Sequence, residues 1–526
     1  MSSPSSAQSD DAARFSAALA TGMFVAHWAT IQPTAPAVIS RQGSLDFAEL
    51  NARCNQLARG LRARGVGAGA AVAILCSNRL EFAEVVMATR RSGLRLTPVN
   101  FHLTSDEAGY IVDDCDAEVL FAEARLGEVA ARAAELAPRA RLRFAVGGPI
   151  DGFTAYEDLV RGQSTADLED PALGTMMLYT SGTTGRPKGV FKPPAPPQLA
   201  IIASADSYPV GARHLHLCTG PLYHAAPLAF SLTVPLMLGA GVVLMDTWDA
   251  EETLRLIEAH RITHTHLVPT MFHRLLSLPA ATRRRYDLSS LAQVLHGAAP
   301  CPVPVKRAII EWFGPIVHEY YSASEGSGAS VDSVTWLDKP GTVGKPPAGH
   351  VRVLDATGSD VPAGTPGMIY LKAPDARFEY YKDAEKTASA FRGDYFTLGD
   401  VGYLDDDGYL FLTDRSANLI ISGGVNIYPA ESEAVLLTHP AVLDVAVIGV
   451  PNSEWGEEVC AVVQLREGYA ASPSLGGELI EHCRARLSHF KCPRAVEFTA
   501  SLPRQDNGKL YKHALREAYR KKAAHG

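Results

Sequence analysis

Short apolar runs alternate with helical periods along the first part of the chain. Residues 71–78 (AVAILCSN) and 117–123 (AEVLFAE) are continuous aliphatic runs of strand length, and we predict a strand for each. Between them, Thr104 and Glu107 have the spacing of a capping box, which predicts the start of a helix. Strands that alternate with helices are typical of βαβ units, so this pattern predicts a layered α/β body.

A second such unit follows a long stretch without charge. No charged residue occurs between residues 214 and 245, which is long enough to span a bilayer. Three prolines interrupt the stretch, and Gly239 and Gly241 mark a turn, so we predict a buried helix followed by a core strand (241–246) and no membrane span. Next come a helix capped near Asp249, with Leu254 and Ile257 on one face, and a strand at 262–269.

The pattern changes after about residue 410. A polar, glycine-containing connector (413–431) precedes predicted strands at 441–450 and 458–465 and a predicted helix at 477–487. A segment of this size can fold as a small α+β domain. We therefore predict a large N-terminal domain (1–413, with 1–20 a disordered lead-in), a connection at 414–418, and a small C-terminal domain (419–526).

Composition excludes several functional classes. The 526 residues are 47% hydrophobic and 20% charged, and 49 basic against 57 acidic residues give a net charge of −8. This acidic balance argues against a protein that holds nucleic acid through general positive charge. The eight cysteines form no CxxC pair and no cluster at metal-ligand spacing, and no secretory signal precedes residue 20. We therefore expect a reduced, cytoplasmic compartment.

The most informative segment is YTSGTTGRPKGV at 179–190. Its glycines allow tight turns that bring backbone N–H groups close to an anion, while its hydroxyls and Lys188 add donors and charge. It is not a Walker loop, because Gly189 rather than Ser or Thr follows Lys188. The residue types predict a phosphate-binding loop, whose candidate contacts are Thr180, Ser181, Gly182, Thr183, Thr184, Gly185 and Lys188.

This loop resembles the signature loop of the adenylate-forming superfamily, which includes acyl- and aryl-CoA synthetases, amino-acid adenylation domains and firefly-type luciferases. Segments similar to the other family motifs follow in order: PLYHAAP (221–227), HGAAP (296–300), EYYSASEG (319–326), YFTLGDVGYLDDDGYL (395–410) and LPRQDNGKLYK (502–512). The motifs are closest to those of acyl- and aryl-CoA ligases. The resemblance implies a large multi-subdomain α/β adenylation domain and a small α+β lid domain on a hinge at 414–418.

The resemblance implies an ATP and Mg²⁺ site. Tyr321 would pack on adenine, Ser324 would contact phosphate, and Glu325 would hold Mg²⁺. Asp400 would bind the ribose hydroxyls with support from Arg415, and Lys509 would enter the site during adenylation. The implied catalytic residues are Lys509, His224, Glu325 and Lys188, and the loop lining the adenine would contribute Gly297, Ala298 and Ala299.

The resemblance also implies an acyl pocket and an acceptor region. His224 would gate the carboxylate, in a pocket formed with Ala225, Ala226, Gly297, Tyr320, Ser322 and Ala323. The small side chains leave room for an aromatic or medium-chain acid. Coenzyme A as acceptor would be contacted by Gly423, Gly424, Trp455, Phe490, Lys491 and Arg494.

The implied reaction is ATP-dependent activation of a carboxylate through an acyl-adenylate, with AMP and pyrophosphate released, and transfer of the acyl group to coenzyme A. Two departures from the family pattern keep an ATP-dependent amide synthetase open as the alternative. Ala417 stands where relatives carry Asp or Lys as a pivot, and Cys492 stands where some carry arginine.

Three further functions fit the motifs less well. An amino-acid adenylation domain serving a carrier protein would need an aspartate that PLYHAAP lacks, and a luciferase-like oxidation is not excluded by motif. A catalytically inactive scaffold would need lesions in the nucleotide site, yet the five charged residues that the resemblance implies there are all present: Lys188, Glu325, Asp400, Arg415 and Lys509. The sequence does not indicate the oligomeric state.

Overall fold

A computed structural model describes residues 6–180, 186–195, 211, 213–373, 377–415, 418–422, 425–452, 454–504 and 510–525. The chain divides into two compact units. The first unit comprises Met1–Leu267, Leu278–Leu295 and Pro374–Ser389. The second unit comprises Val268–Ser277, His296–Ala373 and Ala390–Gly526.

Strands occur along the whole length of the described residues. In chain order they are β1 (Pro36–Ser40), β2 (Gly43–Asp46), β3 (Ala71–Leu75), β4 (Arg95–Pro98), β5 (Val119–Glu123), β6 (Leu142–Val146), β7 (Thr154–Ala155), β8 (Thr175–Met176), β9 (Leu178–Thr180), β10 (Lys188–Phe191), β11 (Leu215–Cys218), β12 (Gly241–Leu244), β13 (His264–Leu267), β14 (Gln293–His296), β15 (Val317–Ser322), β16 (Ser327–Val331), β17 (Thr342–Gly344), β18 (Val351–Leu354), β19 (Gly367–Lys372), β20 (Glu379–Tyr380), β21 (Phe391–Arg392), β22 (Tyr395–Leu404), β23 (Leu410–Arg415), β24 (Ile420–Ser422), β25 (Val425–Ile427), β26 (Val442–Asn452), β27 (Gly456–Leu465) and β28 (Ala495–Thr499).

The α-helices of the same residues separate and flank these strands. In chain order they are α1 (Ser6–Thr21), α2 (Phe24–Ile31), α3 (Phe47–Arg62), α4 (Leu80–Arg91), α5 (Ser105–Asp114), α6 (Gly127–Leu136), α7 (Tyr156–Val160), α8 (Ala225–Leu228), α9 (Val234–Met237), α10 (Ala250–His260), α11 (Pro269–Ser277), α12 (Ala280–Arg285), α13 (Val303–Phe313), α14 (Ser333–Asp338), α15 (Ala384–Ala390), α16 (Pro429–Leu436), α17 (Pro473–Arg484) and α18 (Lys512–His525).

The first unit contains a parallel sheet in the order β7-β6-β5-β3-β4-β8. Strands β3 and β5 are buried at every position, as expected for parallel strands covered on both faces. They confirm the strands expected in 71–78 and 117–123. The capping box is present, since the Glu107 backbone N–H donates to Thr104 Oγ1 over 3.4 Å and the Thr104 N–H donates to Glu107 Oε2 over 2.9 Å.

A second sheet of this unit has the order β14-β13-β11-β12-β1-β2. The charge-free stretch supplies β11, then α8, a π-helical turn (Ala229–Thr233) and α9, and finally β12. The predicted buried helix and core strand are therefore correct, while the sequence pattern missed β11 and the π-turn. Helix α10 begins after Asp249, whose Oδ1 accepts from the Glu252 N–H over 2.8 Å. Among the described helices, none is long and apolar enough to cross a membrane.

Strands β9, β10 and β20 form a small antiparallel sheet, also in the first unit. Strand β10 lies in the middle. It pairs with β9 along 178–180 and with β20 at Glu379 and Tyr380. This sheet brings Glu379 and Tyr380, from the last segment of the first unit, beside Phe191 and Val190 of β10.

The second unit contains three strand assemblies. Strands β15 and β16 form an antiparallel hairpin, and β17-β23-β22-β19-β18 form an antiparallel sheet to which β21 adds by pairing with β22. The C-terminal part has the sheet β25-β24-β27-β26, with β28 parallel to β27. Helix α17 begins at Pro473, four residues before the predicted start, because Ser472 caps it and proline is favoured in the first turn.

Candidate active site

The glycine-rich segment lies between two paired strands. Strand β9 ends at Thr180 and β10 begins at Lys188, and these two residues are opposite each other in the antiparallel register. The paired strands therefore fix the positions of Thr180 and Lys188, which flank the glycine-rich residues in the chain. The candidate contacts Ser181, Gly182, Thr183, Thr184 and Gly185 lie outside the described residues.

Helix α5 holds both sides of this hairpin. The Tyr179 hydroxyl donates to Asp114 Oδ2 over 2.6 Å, and the Tyr110 hydroxyl donates to the Pro187 carbonyl over 3.2 Å. Burial and the neighbouring Asp114 carboxylate raise the pKa of Tyr179, so its hydroxyl keeps the proton that it donates. Both ends of the connection are thus attached to one helix of the first unit.

Lys188 forms an ion pair that the sequence did not indicate. Its Nζ lies 2.9 Å from Asp383 Oδ2. The hydrogen bond from Lys188 lowers the pKa of Asp383, and the same bond raises the pKa of Lys188. The sequence gives one clue to Asp383. An aspartate directly before the helix-forming run AEKTASA is typical of an N-cap residue. The sequence alone could not predict that Asp383 pairs with Lys188, because the two residues are 195 positions apart (383 − 188) and only the fold brings them together.

His224 stands at the start of α8, in extended conformation (φ −92°, ψ 147°). It is half-buried, as are Ala225 and Ala226 in the first turn of the helix, and its ring centroid lies 4.4 Å from that of Tyr223. The helix continues into the π-turn at Ala229–Thr233, a feature that is frequent at functional sites. The first unit therefore brings the candidate carboxylate gate and two of its small neighbours together.

A buried asparagine outside the recognised motifs holds this segment. Asn78 follows β3, and its Nδ2 donates to the carbonyls of Gly220 and Met245, each over 2.9 Å. The Leu222 N–H donates to Asn78 Oδ1 over 2.8 Å. The Asn78 side chain therefore connects the end of β3 to the segments that follow β11 and β12. The segment after β11 leads directly to His224.

In the second unit, two predicted nucleotide contacts meet. The Tyr321 hydroxyl donates to Asp400 Oδ2 over 2.6 Å, and the two side chains, 8% and 7% exposed, come from β15 and β22. Gly328 on β16 permits this position of the phenol ring, since a Cβ there would lie 2.4 Å from Tyr321. Arg415 ends β23 opposite Asp400 in the register, which places its backbone beside the same carboxylate-bearing strand.

Ser324 and Glu325 form the turn between β15 and β16. The backbone N–H groups of Ala323 and Gly326 each donate to the other's carbonyl, over 2.8 and 3.2 Å. The Ser322 hydroxyl adds a 3.3 Å hydrogen bond to the Gly326 carbonyl. Glu325 is 6% exposed. The tight turn therefore places the Ser324 hydroxyl and the Glu325 carboxylate three and four positions after Tyr321 in the chain.

The candidate adenine loop follows β14. Gly297 packs against Tyr320, and a Cβ at Gly297 would lie 2.6 Å from the ring, so no other residue fits without a shift. Ala298 has φ +67°, a left-handed conformation that costs a non-glycine residue about 1 kcal/mol or more and that recurs at ligand sites. Ala299 follows it, half-buried.

A buried charge pair lies next to these residues. Lys306 Nζ contacts Glu319 Oε2 over 2.5 Å, and both side chains are at most 7% exposed. His296 Nε2 lies 3.6 Å from the same carboxylate oxygen. The pair therefore connects α13 to the strand that carries Tyr320 and Tyr321 and to the residue before Gly297.

The candidate acceptor residues of the C-terminal part are partly exposed. Arg494 lies over the Trp455 ring at 5.0 Å from its centroid, and Trp455 is 38% exposed. Phe490 is 49% exposed, and Lys491 lies 5.8 Å from its ring centroid while also pairing with Glu431. Gly423, Gly424, Ala417 and Lys509 lie outside the described residues, as does the Arg415 side chain.

Comparison with known proteins gives matches along most of the chain. Residues 25–381 match the model of the AMP-binding enzyme family, and residues 431–509 match that of the AMP-binding enzyme C-terminal domain. An indoleacetate–CoA ligase from Aromatoleum aromaticum is 32% identical over 501 residues, which are 94% of this chain and 97% of the relative.

Solved structures give the same result. An anthranilate CoA ligase in complex with anthranoyl-AMP superposes with a TM-score of 0.84 at 25% identity, covering 95% of this chain and 98% of that one. An amide bond synthetase from Marinactinospora thermotolerans gives 0.79 at 29% identity, covering 95% and 100%. With a large N-terminal AMP-binding domain and a small C-terminal domain of mixed α/β structure, the chain belongs to the AMP-binding family of adenylate-forming enzymes.

Proposed function

We propose that this chain is an AMP-forming acid–thiol ligase that activates a carboxylic acid with ATP and transfers the acyl group to coenzyme A. The observation that supports this best is similarity over nearly the whole length to proteins that are named indoleacetate–CoA ligase, feruloyl-CoA synthase and 2-succinylbenzoate–CoA ligase. Aromatic groups recur in these names, and small residues stand at the candidate acyl pocket, so an aryl acid is the first substrate to test.

The chemistry requires activation because a carboxylate is a poor electrophile. Its attack on the α-phosphorus of ATP forms the C–O–P bond of an acyl-adenylate and breaks the bond to pyrophosphate, which leaves. Both reactants are anions, so the protein must position them and neutralise the charge that develops on the leaving group. The thiol of coenzyme A then attacks the acyl carbon, AMP leaves, and the thiol proton passes to solvent.

The second unit supplies the proposed nucleoside site. Asp400 accepts from the ribose hydroxyls, Tyr321 packs on adenine beside it, and Ser324 donates to phosphate. Glu325 is suited to bind Mg²⁺, because this hard cation prefers carboxylate oxygens. Phosphate and water would supply the remaining ligands. Bound Mg²⁺ would supply charge neutralisation at the phosphates.

The first unit supplies the proposed phosphate and carboxylate contacts. Lys188, at the end of the glycine-rich connection, holds the β- and γ-phosphates. His224 and the small residues after it admit the carboxylic acid. The second unit contributes Lys509, which contacts the carboxylate and the α-phosphate during adenylation.

Coenzyme A is the proposed acceptor. Trp455 and Phe490 offer exposed aromatic faces, and the guanidinium of Arg494 already lies over the indole ring. Arg494 and Lys491 carry the positive charge that phosphate groups require. Cys492, where some relatives carry arginine, is only 3% exposed and packs in the core of the C-terminal part, so it adds no charge to this surface.

The similarity to an amide bond synthetase supports a second candidate, in which an amine takes the acyl group. The experiment that tests both is a pyrophosphate-release screen over aryl and aliphatic acids, repeated with coenzyme A and with a panel of amines, with products identified by mass. Thioester formation supports the ligase. Amide without thioester supports the synthetase, and no acid-dependent pyrophosphate release contradicts both.

The Lys509→Ala variant tests the division of labour between the two half-reactions. We expect acyl-adenylate formation to fall by about 100-fold or more, because the charge on the carboxylate and α-phosphate loses its partner. Transfer from supplied acyl-adenylate should change far less. Single-turnover assays of each half-reaction measure both values, and equal losses would contradict the assignment of Lys509.

A further inference from the structure

The Asp383 carboxylate pairs with the ammonium group of Lys188, the group that the proposed function assigns to phosphate. Lys188 Nζ and Asp383 Oδ2 are 2.9 Å apart, and the side chains are 32% and 23% exposed. Solvent therefore reaches the pair, and a dissolved anion can reach it too. A carboxylate here contacts the ammonium group in the same way as a phosphate oxygen would.

The position of Asp383 is set by contacts within the first unit. Strand β20 pairs with β10, and the Tyr381 N–H donates to the Gly189 carbonyl over 2.8 Å. The Asp383 N–H then closes a turn onto the Tyr380 carbonyl over 2.9 Å. The segment that carries Asp383 is thus paired to the strand that begins at Lys188.

The two carboxylate oxygens of Asp383 have different partners. Oδ1 accepts from the Lys386 N–H over 3.0 Å and caps the start of α15, whereas Oδ2 contacts Lys188. Asparagine caps helices as well as aspartate does, but it carries no charge. The structural and electrostatic functions of this residue can therefore be separated by one isosteric change.

We propose that Asp383 is a positioning residue that acts through Lys188, as an internal counter-ion that polyphosphate displaces and that returns when pyrophosphate leaves. This inference rests on the proposed contact between Lys188 and the β- and γ-phosphates. Because the carboxylate competes for the ammonium group, it weakens binding of ATP and pyrophosphate equally and so favours release of the product anion.

The test is the Asp383→Asn variant of the full chain, with inorganic pyrophosphate and Mg²⁺ as the probe in titration calorimetry. We expect the dissociation constant of pyrophosphate to fall about twofold to fivefold, the range expected for loss of one solvent-exposed competing charge. The KM for ATP should fall in parallel, while the KM for the acid stays unchanged. Asp249→Asn is the matched control, since Asp249 caps α10 and loses the same charge.

Two further variants separate the possible failures. If Lys188→Met weakens pyrophosphate binding and abolishes the effect of Asp383→Asn in the double variant, the inference is supported. If Lys188→Met weakens binding but Asp383→Asn leaves it equal or weaker, the inference is wrong while the function of Lys188 stands. If Lys188→Met changes nothing, the proposed phosphate contact itself is wrong. Asp383→Ser, which also retains a capping oxygen, replaces Asp383→Asn if the latter fails to fold.

Discussion

At the scale of single residues, the proposed nucleotide site joins two groups for which the sequence predicted separate functions. Tyr321 was expected on adenine and Asp400 on ribose, and the structure connects them by a 2.6 Å hydrogen bond. A neutral phenol that donates to a carboxylate restricts the rotation of that carboxylate and occupies one of its acceptor positions. Tyr321 is therefore expected to orient Asp400 as well as to support the base.

The Tyr321→Phe variant keeps the ring and removes the hydroxyl. We expect the KM for ATP to rise about tenfold, the value for losing a hydrogen bond to a charged group, with the KM for the acid unchanged. Steady-state pyrophosphate release at saturating acid measures this. Tyr395→Phe is the control, because its hydroxyl donates to the Gly349 carbonyl at an exposed position. An unchanged KM for ATP in Tyr321→Phe would show that the phenol does not orient Asp400.

Sequence motifs pointed to the residues proposed to contact the substrates, but not to the residues that hold those contacts in position. Thr180, Lys188, Tyr321 and Asp400 lie in recognisable motifs. Asn78 and Asp383 do not, because their functions depend on partners more than 140 positions away in the chain. A single sequence contains no signal for such pairings beyond the cap that Asp383 provides.

At the scale of elements, the sequence predicted the continuous apolar strands and the helices that begin at a capping residue. It did not predict all of the elements in the charge-free stretch (214–245). The continuous apolar runs predicted β3 and β5, and capping residues predicted α5 and α10. The charge-free stretch has no period that could separate β11 from a helix, since a short apolar run fits either. Its π-turn has no sequence signature at all, yet it belongs to the helix that His224 begins.

Asn78 is the polar residue that connects these elements. Replacement by aspartate would set a carboxylate against the carbonyls of Gly220 and Met245, so we expect the free energy of unfolding to fall by about 2–4 kcal/mol. Denaturant titration measures it. In Asn100→Asp, where the native side chain accepts from the His102 N–H, the acceptor is retained, and a change within about 0.5 kcal/mol is expected. Equal effects of the two variants would contradict the connecting function of Asn78.

At the scale of the whole molecule, buried histidines make stability depend on pH. His216 on β11 and His264 and His266 on the neighbouring β13 are at most 2% exposed. Burial lowers the pKa of His264 and of His266 from 6.5 to about 4, and it also holds the pKa of His216 well below the ordinary value of a histidine. In the folded chain each of these three imidazole rings is therefore neutral at a pH at which it would bind a proton in the unfolded chain.

Acid should therefore destabilise the folded chain. Between pH 6.5 and about 4 the unfolded chain binds more protons, so the free energy of unfolding falls as pH falls, by up to about 3 kcal/mol for each of His264 and His266. Unfolding midpoints in denaturant between pH 7.5 and 5 measure this slope. His266→Gln should reduce the slope, whereas a slope equal to that of the native chain would assign the acid sensitivity to other groups.

Strand β15 has a consequence for changing the substrate range. Its side chains alternate between a buried series, Glu319 and Tyr321, and a half-buried series, Tyr320 and Ser322. The first series contacts Lys306 and Asp400, whereas the second contains the candidate acyl-pocket positions. A library at Tyr320 and Ser322 would therefore vary candidate acyl-pocket positions while the Lys306–Glu319 pair and the Tyr321–Asp400 hydrogen bond keep their partners. Because Tyr320 packs on Gly297 and the Ser322 hydroxyl donates to the Gly326 carbonyl, a change at either position also reaches a segment of the proposed nucleotide site, so acid selectivity and nucleotide affinity should change together along this strand.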